Sequence, residues 1–191
     1  MVGNIPNFTK IDILRCFLRF GKSVSRRELA RELELGEGTV RTMLEMLKSK
    51  NLLTSTKKGH FLSKEGNGTL NQLHQFISMP KNIISNALYP NLKKIGILIK
   101  NTQSLKQVYK LRDIAVKNGA DGAVILKFED KLYALESDYE EDYGELKKYF
   151  ELKKNDTLVI VFSNKNRIAE NSALAIAIEL NETLKNFISK F

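Results

Sequence analysis

The fold is decided by residues 25–50, which read SRRELARELELGEGTVRTMLEMLKSK. Ser25 followed by Glu28 has the spacing of a capping box, which predicts a helix beginning directly after Ser25. Gly36 and Gly38 interrupt the pattern, so the stretch predicts two short helices joined by a tight turn. In the second helix the apolar residues recur at i, i+3, i+4 and i+7, namely Val40, Met43, Leu44 and Leu47.

The other side of this second predicted helix is polar and partly basic. It carries Thr39, Arg41, Thr42, Glu45 and Lys48. A buried stripe behind such a front is what a helix needs in order to lie in the major groove of DNA.

The flanking segments predict further elements on both sides. Thr9 with Asp12 predicts a capped helix over residues 10–20. Two short apolar runs on either side of Lys57-Lys58-Gly59 predict a hairpin over residues 52–63. Ser63 then predicts the start of a fourth helix, which Gly66 and Gly68 weaken.

This order of elements, with the phrases LARELELGEGTVRTMLEMLKSKNLL and TKKGHFLSKEG, resembles the winged helix-turn-helix of prokaryotic transcription regulators. The resemblance implies that residues of the second helix contact DNA bases or phosphates. It also implies that residues at the start of the first helix contact the DNA backbone, and that the hairpin forms a basic wing tip. The residues concerned, together with the outward-facing Lys48, are Arg26, Arg27, Thr39, Arg41, Thr42, Lys48, Lys57, Lys58 and His60. Winged helices also serve as protein–protein modules, and Glu37 and Glu45 on the front keep that alternative open.

The formal net charge is +9, and it is concentrated in the first part of the chain. Residues 1–78 carry 13 Lys and Arg against 7 Asp and Glu, which gives +6, whereas residues 79–191 carry 18 against 15, which gives +3. A basic domain attracts the phosphate backbone whatever the base sequence. A soluble, lysine-rich surface would produce the same totals.

The second half alternates strand and helix patterns. Strands are predicted over residues 94–100, 123–128, 132–136 and 156–162, and helices over 104–119, 146–152 and 168–187. We therefore expect an α+β protein of two domains, a winged helix-turn-helix at 1–78 and a mixed-sheet α/β sandwich at 93–191. Residues 79–92 are interpreted as a linker, partly ordered by packing of Ile83, Ile84 and Leu88.

The residues needed for common catalytic sites are missing from this half. No His or Cys follows His74, which excludes Cys/His and Ser/His/Asp nucleophiles there, and neither GxGxxG nor a Walker loop is present. Cys16, His60 and His74 do not have the spacing of a metal cluster, and Cys16 is interpreted as a small core residue. We expect no enzymatic activity, no cofactor and no metal site.

A second resemblance concerns KLRDIAVKNGADGAVILKFEDKLYALE and NDTLVIVFSNKNRIAENSALAIAIEL. These phrases resemble the C-terminal α/β domain, of unknown function, of a group of archaeal winged helix-turn-helix proteins taken for transcriptional regulators. Residues 163–167 also lie between a strand and a helix N-terminus, where α/β proteins bind anions, although a plain polar connection is the alternative. The candidate ligand-binding residues are Arg112, Asp113, Asn118, Asp121, Lys165, Arg167, Glu170 and Asn171.

Together these patterns favour a transcription regulator that binds double-stranded DNA, with a second domain that senses a small-molecule effector or mediates assembly. We expect a homodimer, formed through the face of Ala169, Ala173 and Ala177 or through residues 81–92. The alternatives are a DNA- or RNA-associated structural protein, or a small enzyme with an accessory winged helix. Biotin–protein ligases have that last arrangement, but their GRGRxG signature is absent here.

The sequence also predicts where in the cell the protein is found. MVGNIPNFTK contains no apolar stretch of the kind found in secretory signals, and apolar runs such as residues 158–162 are too short to span a bilayer. We expect a cytoplasmic protein without a membrane partner.

Overall fold

The computed structural model describes residues 7–21, 24–57, 59–85, 88–102, 105, 107–136 and 141–191. The chain forms two compact units, the first made of Met1–Leu73 with Thr183–Phe191 and the second of His74–Glu182. A two-stranded sheet lies in the first unit and a larger sheet in the second. The predicted α+β class is confirmed.

The first unit begins with three helices, α1 (Lys10–Leu18), α2 (Arg26–Leu33) and α3 (Glu37–Ser49). Both predicted N-terminal caps are present, because the Thr9 amide donates to Asp12 at 2.9 Å and the Glu28 amide donates to Ser25 Oγ at 3.1 Å. The predicted apolar stripe of α3 is fully buried.

The turn between α2 and α3 differs from the prediction that rested on two glycines. Glu34 adopts the left-handed conformation (φ 53°), Gly36 precedes α3, and Gly38 already lies within its first turn. The Leu35 amide donates to the carbonyl of Ala30 at 3.0 Å, which closes the end of α2. Backbone hydrogen bonds therefore support a non-glycine residue at this turn.

Strands β1 (Leu53–Thr56) and β2 (Gly59–Leu62) form the predicted antiparallel hairpin. Val24 bridges to His60 on the outer side of β2 through two backbone hydrogen bonds of 3.4 Å. Helix α4 (Lys64–Phe76) follows, and Ser63 caps it as predicted by accepting from the Gly66 amide at 2.8 Å.

The C-terminal helix returns to the first unit, which the sequence did not predict. The single helix predicted over residues 168–187 is two helices in the structure, α6 (Asn166–Leu180) and α7 (Glu182–Ser189). They are separated by an extended residue at Asn181. Phe187 stacks on Phe17 of α1 with ring centroids 5.1 Å apart. Thr183–Phe191 belongs to the first unit, whereas the sequence prediction had it in the 93–191 domain.

The sheet of the second unit contains β3 (Lys81–Asn82), β4 (Lys93–Ile99), β5 (Gly122–Phe128), β6 (Leu132–Ala134) and β7 (Thr157–Ser163). Its order is β3-β4-β7-β5-β6, and each pairing among the described residues is antiparallel. The predicted mixed sheet is therefore wrong. Strands β4 and β5 run in the same direction, as a strand–helix–strand pattern indicates, but β7 inserts between them in the opposite direction.

The two faces of this sheet are covered differently. Helices α5 (Val108–Lys117) and α6 pack on one face, where α6 contacts β4, β7 and α5. The other face carries an apolar cluster that includes Leu98, Leu158 and Phe150, near a 3₁₀ turn at Gly144–Lys148. Ser104, which the sequence placed at the start of α5, lies outside the described residues.

The predicted linker at 79–92 takes part in the second unit. Lys81 and Asn82 pair with Gly96 and Ile95 as an edge strand. Ile83 and Leu88 are buried, as predicted, but Ile84 is 78% exposed, so its predicted packing is wrong.

The three alanines proposed for a dimer contact are internal. Ala169, Ala173 and Ala177 are fully buried, on a helix that packs against the sheet and α5. They are not available to a second subunit, and this correction leaves residues 81–92 as the predicted contact.

Gly66 allows α4 to approach the end of α3 closely. A Cβ atom at this position would lie 1.9 Å from the carbonyl oxygen of Leu52, a backbone atom that also accepts a hydrogen bond from Ser63. At Gly68, also in α4, a Cβ atom would have no neighbouring atom within 4 Å.

We expect Gly66→Ala to lower the free energy of unfolding by about 3 kcal/mol, because the methyl group must displace backbone. Gly68→Ala is the matched control and should raise it by ~0.5–1 kcal/mol, since alanine favours an exposed helix position. Urea unfolding of the two variants measures both effects. Equal free energies for the two variants would contradict this account of α4.

Candidate functional site

The outer face of α3 presents the polar residues predicted to contact DNA. Arg41 donates to Glu45 at 3.0 Å, and these two side chains are 69% and 60% exposed. Thr42 is exposed and donates to the carbonyl of Gly38 at 3.3 Å, while Thr39 is half-buried. The predicted front of α3 is thus mostly open to solvent.

The first turn of α2 carries the two arginines predicted to contact the DNA backbone. Arg26 pairs with Glu37, the first residue of α3, at 3.3 Å. Arg27 is exposed and, with Ser25, Glu28 and Arg31, lines an open pocket of about 420 Å³. Arg26 therefore links the beginnings of α2 and α3.

The hairpin brings His60 beside two of the predicted cations. His60 Nδ1 lies 2.7 Å from Ser55 Oγ across the strand pair. Burial lowers the pKa of His60, and the positive charges of Lys48 and Arg26 lower it further. The bridge between Val24 and His60 also places the start of α2 next to β2. Lys57 is exposed at the hairpin turn, and Lys58 lies outside the described residues.

A buried ion pair within α1 also contacts the end of α2. Asp12 and Arg15 are 0% and 1% exposed and approach to 3.1 Å. The same nitrogen of Arg15 donates to the carbonyl of Leu33 at the end of α2, at 3.2 Å. Cys16 is buried beside them, as predicted, and burial raises the pKa of its thiol to about 12.

In the second unit, two of the predicted ligand-binding residues make structural hydrogen bonds at α5. Arg112 donates to the carbonyl of Leu135 at 2.7 Å, and Asn118 donates to the carbonyl of Ile114 at 2.8 Å. Glu136 accepts the amides of Val108 and Tyr109 at 3.1 and 3.2 Å, where a carboxylate also interacts favourably with the helix dipole.

The remaining predicted ligand-binding residues differ in exposure. Glu170 is buried in α6, and Arg167 and Asn171 are half-buried near its start. The exposed members are Asp113, Asp121 and Lys165. A shared ligand site for this set stays a prediction.

The second unit contains a large basic pocket that was not predicted from the sequence. The pocket has a volume of about 700 Å³ and is lined by six lysines from three separate segments, Lys81, Lys100, Lys147, Lys148, Lys153 and Lys154. The local signal was the paired lysines around aromatic residues in KKYFELKK at 147–154. Lys81 and Lys100 join only through the folding of the sheet.

Lys127 is a further buried residue of the second unit that was not predicted from the sequence. It is 6% exposed, and its ammonium group donates to the carbonyls of Thr102 and Asn155, both at 2.7 Å, and to Thr102 Oγ1 at 2.8 Å. Burial lowers its pKa. Lys127 and the apolar Ile125 are two residues apart on β5, so their side chains lie on the same face of the sheet. This spacing was a signal that Lys127 points inward. Its contacts tie two loops together.

Comparisons with known proteins cover both units. Residues 10–68 match the family model described as PH0730-like, N-terminal domain, and residues 91–180 match a domain of unknown function, DUF4443. Among solved structures, the chain is similar to hypothetical protein PH0730 from the archaeon Pyrococcus horikoshii OT3. The identity is 27%, the TM-score is 0.78, and the match covers 95% of this chain and 100% of that chain.

No curated protein matches the sequence. The matches to a domain of unknown function and to an archaeal protein support the predicted resemblance to archaeal proteins with such a C-terminal domain. Among the residues that the structure describes, no helix is long and apolar enough to cross a membrane.

The lowered pKa of His60 predicts a pH effect on stability. Because folding lowers the pKa of His60 from its usual value, the unfolded chain takes up a proton before the folded protein does as the pH falls through about 6.5. The contribution of His60 to the free energy of unfolding is therefore complete above that pH and is lost below it.

We expect wild type to lose more stability than His60→Gln between about pH 7.5 and about pH 5.5, because only wild type carries this titration. Urea unfolding at the two pH values measures the difference. Parallel losses in the two proteins would contradict the expected role of His60.

Proposed function

We propose that the protein is a DNA-binding transcription regulator. In this proposal the first unit is a winged helix-turn-helix whose α3 lies in the major groove, with the β1–β2 hairpin as its wing. The second unit senses a small ligand or mediates assembly.

The convergence of Arg26, Lys48 and His60 carries the proposal. The two backbone hydrogen bonds between Val24 and His60 place the start of α2 beside β2. The charges of Arg26 and Lys48 both lower the pKa of His60. Two positive groups, from α2 and α3, beside a hairpin histidine that can donate a hydrogen bond make an appropriate surface for a phosphate backbone. The exposed Arg41 and Thr42 lie on α3, where side chains can reach base edges.

The two acidic residues on this surface do not oppose the proposal. Glu37 and Glu45 pair with Arg26 and Arg41, but all four side chains are at least 46% exposed. Exposed ion pairs contribute only about 0–1 kcal/mol, so a phosphate can replace the carboxylate at small cost. In the free protein, the pairs keep both arginines on the DNA-facing side.

A homodimer is part of the proposal. A single unit of this kind contacts a short half-site, and two copies double the contacts with phosphates and bases. The exposed Ile84, next to edge strand β3, favours residues 81–92 as the contact between subunits.

The test is a gel-shift assay with duplex DNA from the region upstream of the protein's own coding sequence. Arg41→Ala should weaken binding by about 1–3 kcal/mol, because it removes a contact with a base edge. Lys117→Ala is the control, since it removes one exposed positive charge from α5 in the second unit, and it should leave the affinity unchanged.

A salt titration separates base contacts from phosphate contacts. Lys57→Ala should weaken binding to all duplexes and reduce the salt slope by about one unit. The proposal fails if wild type does not shift the duplex, or if Arg41→Ala binds as wild type does. Equal affinity for unrelated duplexes would instead indicate the structural nucleic-acid-associated protein considered above.

A further inference from the structure

The pocket lined by six lysines, named here the lysine pocket, has a strong excess of positive charge. Its lining includes only two carboxylates, Glu151 and Asp156, so the lining carries a formal net charge of +4. The lysines come from β3, from the end of β4, and from residues 147–154. The pocket lies entirely within the second unit.

Most of this charge is not compensated by neighbouring acids. Lys148 lies 3.9 Å from Glu145, and Lys154 lies 3.8 Å from Glu129. Across the described parts of the chain, the ammonium groups of the other four lysines have no carboxylate within 4.0 Å; these are Lys81, Lys100, Lys147 and Lys153. Because these positive charges repel one another, the empty pocket has a raised electrostatic energy, and a bound anion lowers it.

The scaffold fixes several of these groups in advance. Lys81 Nζ donates to the carbonyl of Tyr149 at 2.7 Å, and Lys100 Nζ donates to the carbonyl of His74 at 2.6 Å. Asp156 is 3% exposed and accepts the amides of Asn101 and Lys153, both at 2.9 Å. The buried acid therefore holds the two lysine-bearing loops together and does not neutralise an exposed lysine.

Aromatic rings further order the lysine side chains. Lys81 lies over the ring of Phe150 with 5.3 Å between Nζ and the ring centroid, and Lys148 lies over Tyr149 at 5.2 Å. Such contacts lower the conformational freedom that a flexible lysine loses when it binds an anion. The pocket is thus arranged for binding before a ligand arrives.

We propose that the lysine pocket binds a small, multiply phosphorylated molecule. Its volume of about 700 Å³ is in the range of small-molecule sites. Lysines bind phosphate as point charges, and a lining with a net charge of +4 is matched by a polyphosphate chain but not by a single carboxylate. The concave shape favours a compact ligand over a nucleic-acid backbone.

This inference deepens the ligand-sensing part of the proposed function, and it rests on that proposal only for its regulatory meaning. Binding itself is measured without DNA. Failure of the pocket and failure of DNA binding are therefore separate outcomes.

The experiment is isothermal titration of the full chain with tripolyphosphate, ATP and adenosine at low salt. Tripolyphosphate and ATP should bind with a dissociation constant below about 1 mM, and adenosine should not bind. Equal affinities for tripolyphosphate and ATP would indicate a polyphosphate site, and tighter binding of ATP would indicate a nucleotide site. Both results support a phosphorylated ligand.

The double variant Lys147→Gln/Lys153→Gln should weaken binding of tripolyphosphate by about tenfold or more, because each charged contact contributes ~1 kcal/mol or above. Lys110→Gln/Lys117→Gln is the matched control. It removes the same charge from exposed positions of α5 in the same unit, and it should bind as wild type does. The far-UV circular dichroism of both variants should equal that of wild type.

Three results would overturn the inference. Tripolyphosphate could fail to bind wild type up to about 1 mM. The two double variants could bind it equally well, which would show a general charge effect. Finally, Lys147→Gln/Lys153→Gln could weaken binding to duplex DNA as strongly as binding to tripolyphosphate, which would identify a nucleic-acid backbone as the occupant.

Discussion

The guanidinium of Arg15 is the contact on which the first unit depends. It is almost completely buried, pairs with Asp12 within α1, and donates to the last carbonyl of α2. A buried charge is tolerated only when it is paired and hydrogen-bonded, so α1 and the end of α2 are held in one arrangement. The next residue, Glu34, turns the chain into α3 in the left-handed conformation. This contact and the turn at Glu34 therefore lie directly before α3, which carries the proposed DNA-binding face.

The two units use positive charge in different ways. In the first unit, Arg26 and Arg41 are paired with exposed glutamates that a phosphate can replace. In the second unit, most cations of the lysine pocket have no carboxylate partner among the described residues. Exchangeable pairs suit a surface that binds and releases a long polyanion, whereas a concave cluster suits a compact one. This difference supports a division between DNA binding and ligand binding.

Local features were predictable from the sequence, and distant contacts were not. The Ser25 and Ser63 caps and the apolar stripe of α3 depend on residues within one or two helical turns, so the pattern alone identified them. The insertion of β7 between β4 and β5 and the stacking of Phe187 on Phe17 depend on residues far apart in the chain. The lysine pocket belongs to the same class, because Lys81 and Lys100 reach residues 147–154 only in the folded sheet. Lys127 could have been recognised from strand alternation, but its carbonyl partners could not.

The central claim is that DNA and a phosphorylated ligand bind to different units. Amide chemical-shift perturbation tests it most directly, with the upstream duplex and tripolyphosphate added separately to the full chain. The duplex should perturb the amides of Glu37–Ser49 and of the β1–β2 hairpin, and tripolyphosphate should perturb those near residues 81, 100 and 147–154. Perturbation of the lysine pocket by the duplex, with α3 unaffected, would contradict the account.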